Sequence, residues 1–413
     1  MDPSYSVHPR NTFRTPLRDC VEQTWDIPRA DSYSNGTGTP CPEPMASGGA
    51  ILTSLNITIY TSQSITSLEM RLLVASLLLI PAYGFAPPKM RSGAGAKPLY
   101  AYKPDESPAI KEMVDWLLEL ECEGLEPDDG AVEIGFGLNS GMRGVFAKEE
   151  LGVGEYIVAV PFPATLVVME TEDKSTTDAE RGLTLLRKYL DDDVAPSDET
   201  NKWRPYLSSL PKIDYCFDPT PDFWTPDEIQ ALEFPRIVNE ALKRKEQIQQ
   251  LADTEGVDFD QLQFATWLTK SRCFSIVTVK GEDQVTQTKS VLIPFFDMVN
   301  HSSDEPNAEL QVIATKAEDE SFYAICATRP IPAGAEVTIA YGTTCDSSVE
   351  LLMNYGLVED TNQFDAEMLR RGGGDCFWST TLDEDELELK QAQGNRKTAL
   401  AFRSRLKQAV QEM

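Results

Sequence analysis

Pro294-Phe295-Phe296-Asp297-Met298-Val299-Asn300-His301-Ser302 is the stretch on which the reading of this chain turns. It ends an apolar run on an asparagine beside His301, one of only two histidines in the chain. Alone, it reads as an Asx-turn joining two strands. Downstream, Gly334-Ala335-Glu336-Val337-Thr338-Ile339-Ala340-Tyr341-Gly342 is a strand ending on an aromatic hydroxyl and a glycine. Leu351-Leu352-Met353-Asn354-Tyr355-Gly356-Leu357-Val358 then supplies a second Tyr-Gly pair. Upstream, Gly141-Met142-Arg143-Gly144-Val145-Phe146-Ala147 precedes a turn at Gly152-Val153-Gly154-Glu155.

Taken together and in this order, the four blocks resemble a SET-domain methyltransferase. The Gly141–Ala147 block with Gly154-Glu155 matches the first motif of that family. Asn300-His301 with Pro306-Asn307-Ala308 matches the third, and Gly334–Gly342 the fourth. The resemblance covers roughly residues 106–410. It implies an α+β fold: a β-rich SET domain of short strands, with Glu350–Val358 threaded under a preceding loop as a pseudoknot. SET enzymes of the histone type carry a Cys-rich zinc segment after the last motif, whereas here Cys345 and Cys376 stand alone. Phe264-Ala265-Thr266-Trp267-Leu268-Thr269-Lys270-Ser271-Arg272-Cys273-Phe274, with Lys202-Trp203-Arg204-Pro205-Tyr206-Leu207 before it, looks like the Rubisco large-subunit methyltransferase group.

The resemblance also implies a chemistry. An amine displaces a methyl group in line from the sulfonium of S-adenosylmethionine, a reaction helped mainly by positioning and electrostatics. Gly141, Met142 and Arg143 would bring backbone close to the cofactor, since glycine permits close approach. Asn300 would hydrogen-bond its methionyl part, His301 would offer backbone groups to the adenine, and Arg272 would pair with its polar end. On the opposite side Tyr341, the expected catalytic residue, would line a narrow channel and aim its hydroxyl near the methyl group. Tyr355 would share that wall, Phe274 would help form the apolar channel, and Asp297 would contact the incoming lysine or hold the turn. Without the family, Arg272 reads as a solvated helix-end cation and Tyr341 as a strand-end aromatic. A free lysine has a pKa near ~10.4. A neighbouring sulfonium and partial desolvation lower it, so no side-chain base is obligatory.

Composition excludes other classes. The chain has 413 residues with a formal net charge of −29, which disfavours nucleic acid as partner because phosphate neutralisation needs basic surface. It tolerates a basic, lysine-bearing protein substrate. Forty-one per cent hydrophobic residues suffice for a packed core. The eight cysteines contain no Cys-x-x-Cys pair, so neither a disulfide framework nor a metal site is expected. No strand leads into a Gly-x-Gly-x-Gly turn, which argues against a doubly wound methyltransferase.

Domain organisation follows the same texture. Residues 1–69 contain no lysine and are rich in Ser, Thr and Pro; they are expected to be disordered or to lie upstream of the true start. Residues 70–104 read as a presequence: Met70-Arg71, the apolar run Leu72–Ile80, then Ala82-Tyr83-Gly84 before Phe85. The run is too short to span a bilayer. Ala82-Tyr83-Gly84-Phe85-Ala86-Pro87 resembles the signal-transit junction of bipartite plastid presequences in diatoms and related algae. A plastid location is therefore expected, with secreted and cytoplasmic readings as alternatives and no stable membrane association. The SET domain is placed at 105–360, with a helical insertion at about 172–280. Residues 361–413 resemble the start of that group's helical substrate-binding domain, much shortened.

Local signals place the elements. Ser107-Pro108 opens a helix that Gly124 stops, and Thr225-Pro226-Asp227-Glu228 is a capping box. Arg236–Leu251 reads as a long charged helix. Strands are expected at Gly144–Ala147, Tyr156–Val160, Ser290–Ile293, Glu309–Ile313, Phe322–Ala327 and Glu336–Ala340. A tail helix opens at Thr381 with Glu384 at N3, and Ala399, Phe402, Leu406 and Val410 form an apolar stripe.

The expected activity is S-adenosylmethionine-dependent N-methylation of a protein lysine, with the Rubisco large subunit or fructose-bisphosphate aldolase as substrate by resemblance. A histidine methyltransferase of the same fold, which carries Asn where Phe274 stands, is one alternative. A catalytically silent SET module that only binds a partner is the other.

Overall fold

A computed structural model describes residues 57–61, 102–127, 129–171, 176–190, 201–212, 219–280, 285–313, 321–342, 346–371 and 378–413, all within one unit spanning 55–413. Nearly all of the presequence, 70–101, lies outside them, as do Cys345 and Cys376.

The strands are short and form three sheets. One uses β1 (Ile57–Thr61), β7 (Cys273–Lys280), β8 (Val285–Leu292) and β6 (Leu166–Thr171), in that order. A second orders β10 (Ala308–Ile313), β11 (Phe322–Ala327) and β5 (Tyr156–Pro161). The third, which carries the site, orders β2 (Tyr102–Pro104), β3 (Val132–Gly137), β4 (Arg143–Ala147), β12 (Glu336–Ile339) and β9 (Asn300–His301). Pairing is antiparallel except between β12 and β9, where Thr338 faces Asn300 and Ile339 faces His301. Inward residues of these strands, among them Val145, Val158, Val291, Ile293 and Val337, share one core.

Helix α1 (Pro108–Glu119) begins at the expected Ser107-Pro108 and buries Ile110, Met113 and Leu117. It ends before Gly124. Gly124 instead adopts φ +87° where any Cβ would strike the Ile157 carbonyl, so its lack of a side chain lets the chain press onto β5.

The insertion is helical, as expected, but ends earlier. It comprises α2 (Asp178–Leu185), α3 (Arg204–Ser209), α4 (Pro226–Gln230), α5 (Pro235–Glu255) and α6 (Phe259–Arg272), after which β7 starts without a break. Thr177 with Glu180 and Thr225 with Glu228 form reciprocal capping boxes, and Gly256 closes α5 in the left-handed conformation. Helix α6 has no single apolar face. Leu262, Gln263, Phe264, Ala265, Thr266, Leu268 and Thr269 are all buried, so it runs through the interior and delivers Arg272 to the site.

Helix α7 (Ser348–Tyr355) carries the second Tyr-Gly pair and is capped by Ser347 with Glu350. The tail adds α8 (Asp365–Arg370), α9 (Leu382–Leu389) and α10 (Gly394–Gln411). It is not a separate domain. Ala399, Phe402 and Leu406 of α10 share a core with Trp224, Phe234, Ile237 and Leu352 of the insertion and α7. The fourth expected stripe residue, Val410, is exposed. Buried charges reinforce the docking. Arg403 donates to Asp385 at 3.0 and 2.5 Å and to Glu233 at 3.0 Å, and Arg405 donates to Asp365 at 2.9 Å.

Two segments depart from the expected plan. Ile57–Thr61, inside the stretch expected to lack structure, pairs with β7 from Phe274 to Thr278. Alternating Ile, Thr and Tyr give it the composition of a strand. Tyr102–Pro104, at the end of the expected presequence, pairs with Gly135–Gly137.

Candidate active site

The parallel pair β9–β12 builds the centre, because it sets Asn300-His301 alongside the strand that ends at Tyr341. Asn307 holds the arrangement from the far side. Its side chain accepts from Thr338 N at 2.8 Å and donates to Glu336 O at 2.8 Å, while its own N–H donates to Thr338 O.

On one side lies a cradle of backbone and carboxamide. The Asn300 amide nitrogen donates to Arg143 O at 2.9 Å and to Glu336 Oε1 at 2.6 Å. Two acceptors there fix the amide's orientation and turn its oxygen outward as an acceptor. Burial raises the Glu336 carboxyl, and the Asn300 bond offsets part of that rise. Gly144 packs directly on this pair, and a Cβ there would collide with both side chains. Gly141 turns the preceding hairpin at φ +68° with open space around its Cα, and Met142 is exposed.

Next to it lies Asp297, whose side chain is fully buried. Tyr206 OH donates to Asp297 Oδ2 at 3.1 Å, and Arg272 donates to the same oxygen at 3.2 Å and to the Asp297 carbonyl at 2.8 Å. Burial holds the Asp297 carboxyl above its usual range despite Arg272. Burial, and then the neighbouring Arg272, lowers Arg143. Asp297 Oδ1 and Arg272 Nε are buried with no hydrogen-bond partner. Buried polar atoms are seldom left so, and here they flank the Asn300 cradle. The turn is entered through Phe295 at φ 74°, ψ −43°, a conformation that costs a bulky residue energy and is tolerated where packing over-determines it.

Tyr341 is fixed at both ends. Its hydroxyl donates to Val299 O at 2.6 Å, and its N–H donates to His301 Nδ1 at 2.8 Å. Its ring lies 4.7 Å from Tyr355 and 5.1 Å from His301. Burial drives the phenol well above its ordinary pKa, so at neutral pH it is a hydrogen-bond donor and not a base. Phe274 is buried at the start of β7 in the same core and makes no ring pair with Tyr341 or Tyr355 among the described residues.

Residues 142–342 match the family model of the SET domain. The chain carries a SET domain. Among solved structures it is similar to the SET domain of LSMT bound to lysine and AdoHcy, at 16% identity over 75% of this chain and 90% of that one, with a TM-score of 0.53. It is similar too to the SET domain of LSMT bound to MeLysine and AdoHcy, at 15% identity over 74% and 90% of the two chains and a TM-score of 0.52. At such identities the likeness is one of fold. No curated protein matches the sequence.

Arg143, Asn300, His301, Asp297, Arg272, Tyr341 and Tyr355 lie together, linked by bonds, charge and ring contacts. Asp297 ties its turn to Tyr206 and Arg272. Two partners escaped the sequence reading. Glu336 was inside a quoted motif but carried no signal of burial. Tyr206 lies 91 residues from Asp297, a contact no local pattern announces. His301 shares its Nε2 with Ser303 Oγ at 2.8 Å, and Glu359 and Asn362 close around that serine. No cluster of metal-ligating side chains occurs among the described residues.

Proposed function

We propose that this SET domain is an S-adenosylmethionine-dependent N-methyltransferase acting on a lysine of a protein substrate. The observation that carries the reading is Tyr341, pinned beside a buried polar cradle with unsatisfied atoms. The cofactor fits those atoms. Its carboxylate suits the unpartnered Arg272 Nε–H, and its ammonium suits the Asn300 carboxamide oxygen, which an acceptor-bound amide nitrogen leaves to accept. Gly141, with open space where a Cβ would stand, leaves backbone uncovered nearby.

Bound there, S-adenosylmethionine supplies a methyl group activated by a sulfonium. The chain supplies position. The Tyr341 hydroxyl, already donating to Val299 O, keeps its lone pairs for an amine or a polarised C–H. The buried phenol stays protonated and takes no proton from the amine. His301 is not the base either, because its Nδ1 is occupied by Tyr341 N–H and its Nε2 faces Ser303. The amine therefore enters after losing its proton to solvent, and desolvation shifts that equilibrium. Phe274 favours lysine over histidine by its apolar shape. The Rubisco large subunit and aldolase are the substrates we would test first, guided by the LSMT-like motifs and fold. The Ala82–Pro87 junction supports a plastid location, testable by imaging a fluorescent fusion of residues 70–104 in a diatom.

The decisive assay is transfer of labelled methyl to a plastid extract by the full chain. Tyr341→Phe is expected to lower kcat on the order of 100-fold, the scale of losing one positioned polar group at the reacting centre. Acid hydrolysis of the labelled band should release methyl-lysine; methyl-histidine would favour the histidine alternative. A folded protein that neither binds the cofactor nor transfers label would overturn the reading.

A further inference from the structure

We propose that the His301 side chain is a positioning residue for Tyr341, and that it works only as the neutral imidazole with its proton on Nε2. The kinetic half of this inference rests on the methyltransferase reading; the structural half does not.

The bonding pattern dictates the tautomer. Nδ1 lies 2.8 Å from Tyr341 N, and a backbone N–H can only donate. Nδ1 therefore carries no hydrogen, and in a neutral ring the proton sits on Nε2. Ser303 Oγ waits there as acceptor at 2.8 Å, with Glu359 Oε2 at 3.6 Å. Ser303 is itself anchored. Its N–H donates to Glu359 Oε1 at 3.1 Å, and its hydroxyl receives Asn362 Nδ2 at 3.3 Å. Asn362 in turn donates to Asp346 O at 3.0 Å. A continuous path thus runs from residues 359–362, through Ser303 and the imidazole, to the backbone of Tyr341. The phenol's other anchor, Val299 O, lies two residues before His301 in the same segment. Both ends of Tyr341 are held by one short stretch of chain.

A second proton on the ring would reverse one contact. Nδ1–H would face Tyr341 N–H, donor against donor, and that anchor would be lost. Among the described residues, the Tyr341 phenol and Glu359 are the titratable groups set against the ring. The Tyr341 phenol stays neutral. Burial raises Glu359, but the nearby imidazole and the bond from Ser303 N–H outweigh it and hold its carboxyl below the usual range. Glu359 therefore stays negative beside the ring. The anchor is kept only while Nδ1 carries no proton.

The chain's only other histidine is His8, so His8→Asn leaves a single imidazole to observe. Nitrogen NMR of the full His8→Asn chain labelled in histidine should report the Nε2–H tautomer near neutral pH. On acidification the ring signal and the Tyr341 amide should shift together. A proton on Nδ1 at neutral pH, or an amide indifferent to ring protonation, would overturn the proposal whatever the activity. Kinetically, His301→Asn places an oxygen near the Nδ1 position without a titrating ring. On the acid side of the profile, log kcat should fall one unit per pH less steeply in His301→Asn than in His8→Asn. His301→Ala should lose more than about tenfold in kcat with cofactor KM little changed, and His301→Asn should recover most of that loss. Identical acid limbs in the two asparagine variants would also refute it.

Discussion

Asp297 and Asp385 are both buried aspartates paired with arginine, yet they lie at opposite extremes of satisfaction. Asp385, in the tail, receives Arg403 at both oxygens, Thr380 Oγ1 at 2.6 Å, and Lys407. Asp297, in the SET core, receives Tyr206 and Arg272 on one oxygen and nothing on the other. Burial would raise both. At Asp385 the bonds from Lys407, Thr380 and Arg403 win and the carboxyl is lowered; at Asp297 burial wins and it is raised. The first is architecture, closed on itself. The second is a partly filled shell, and a shell with room is where a ligand can be recognised.

Three substitutions test the contrast. Asp385→Asn leaves Lys407 without its anion and Arg403 with Glu233 alone, and should cost about 3–5 kcal/mol at pH 7 in denaturant unfolding. The sign of its pH dependence follows from the lowered carboxyl. Its stabilisation is present above the unfolded value, near ~3.9, and is lost as pH falls through the folded one, so the variant's deficit should narrow in acid.

Asp297→Asn should behave oppositely in stability. The folded state holds this proton more tightly than the unfolded chain does, so ionising it at neutral pH opposes folding. The variant should unfold within about 1 kcal/mol of the parent at pH 7, a surface-like cost for a fully buried site. Any advantage should fade as pH falls toward the unfolded value. Methyl transfer should nevertheless drop on the order of tenfold, because Arg272 loses its orienting partner. A stability loss equal to that of Asp385→Asn would erase the distinction between the two sites.

Arg236→Ala gives the lower bound. Its 2.6 Å pair with Glu350 is half exposed, and its removal should change stability by less than about 1 kcal/mol in the same assay.

Much of this was legible because the chemistry is written in contiguous blocks. Asn300-His301 and Glu336–Tyr341 carried both the fold and the centre of the site. Strand Phe322–Ala327 and the caps at Thr225 and Thr381 stood where turn and capping rules put them. Strand β7 was hidden, since Cys273 follows Arg272 with no glycine or proline to mark the change from helix. Strands β3 and β6 were missed beside it. Helix α7 was read only as a motif. Its Ser347 capping box shows that the same residues also obey a local rule. The partners of Asp297 and His301 were beyond reach, because burial and long-range bonding leave no mark on residue spacing.

The two-residue bridge between β9 and β12 bears on how the protein comes into being. Asn300 reaches back 157 residues to Arg143, His301 reaches forward 40 to Tyr341, and Ser303 reaches forward 56 to Glu359. Each link closes a long loop, and a parallel pair this short returns little until the loops are closed together. A growing chain can therefore pair β3 with β4 while these links are still open. The Ser303 link closes last of the three, because it waits for Glu359 to leave the ribosome.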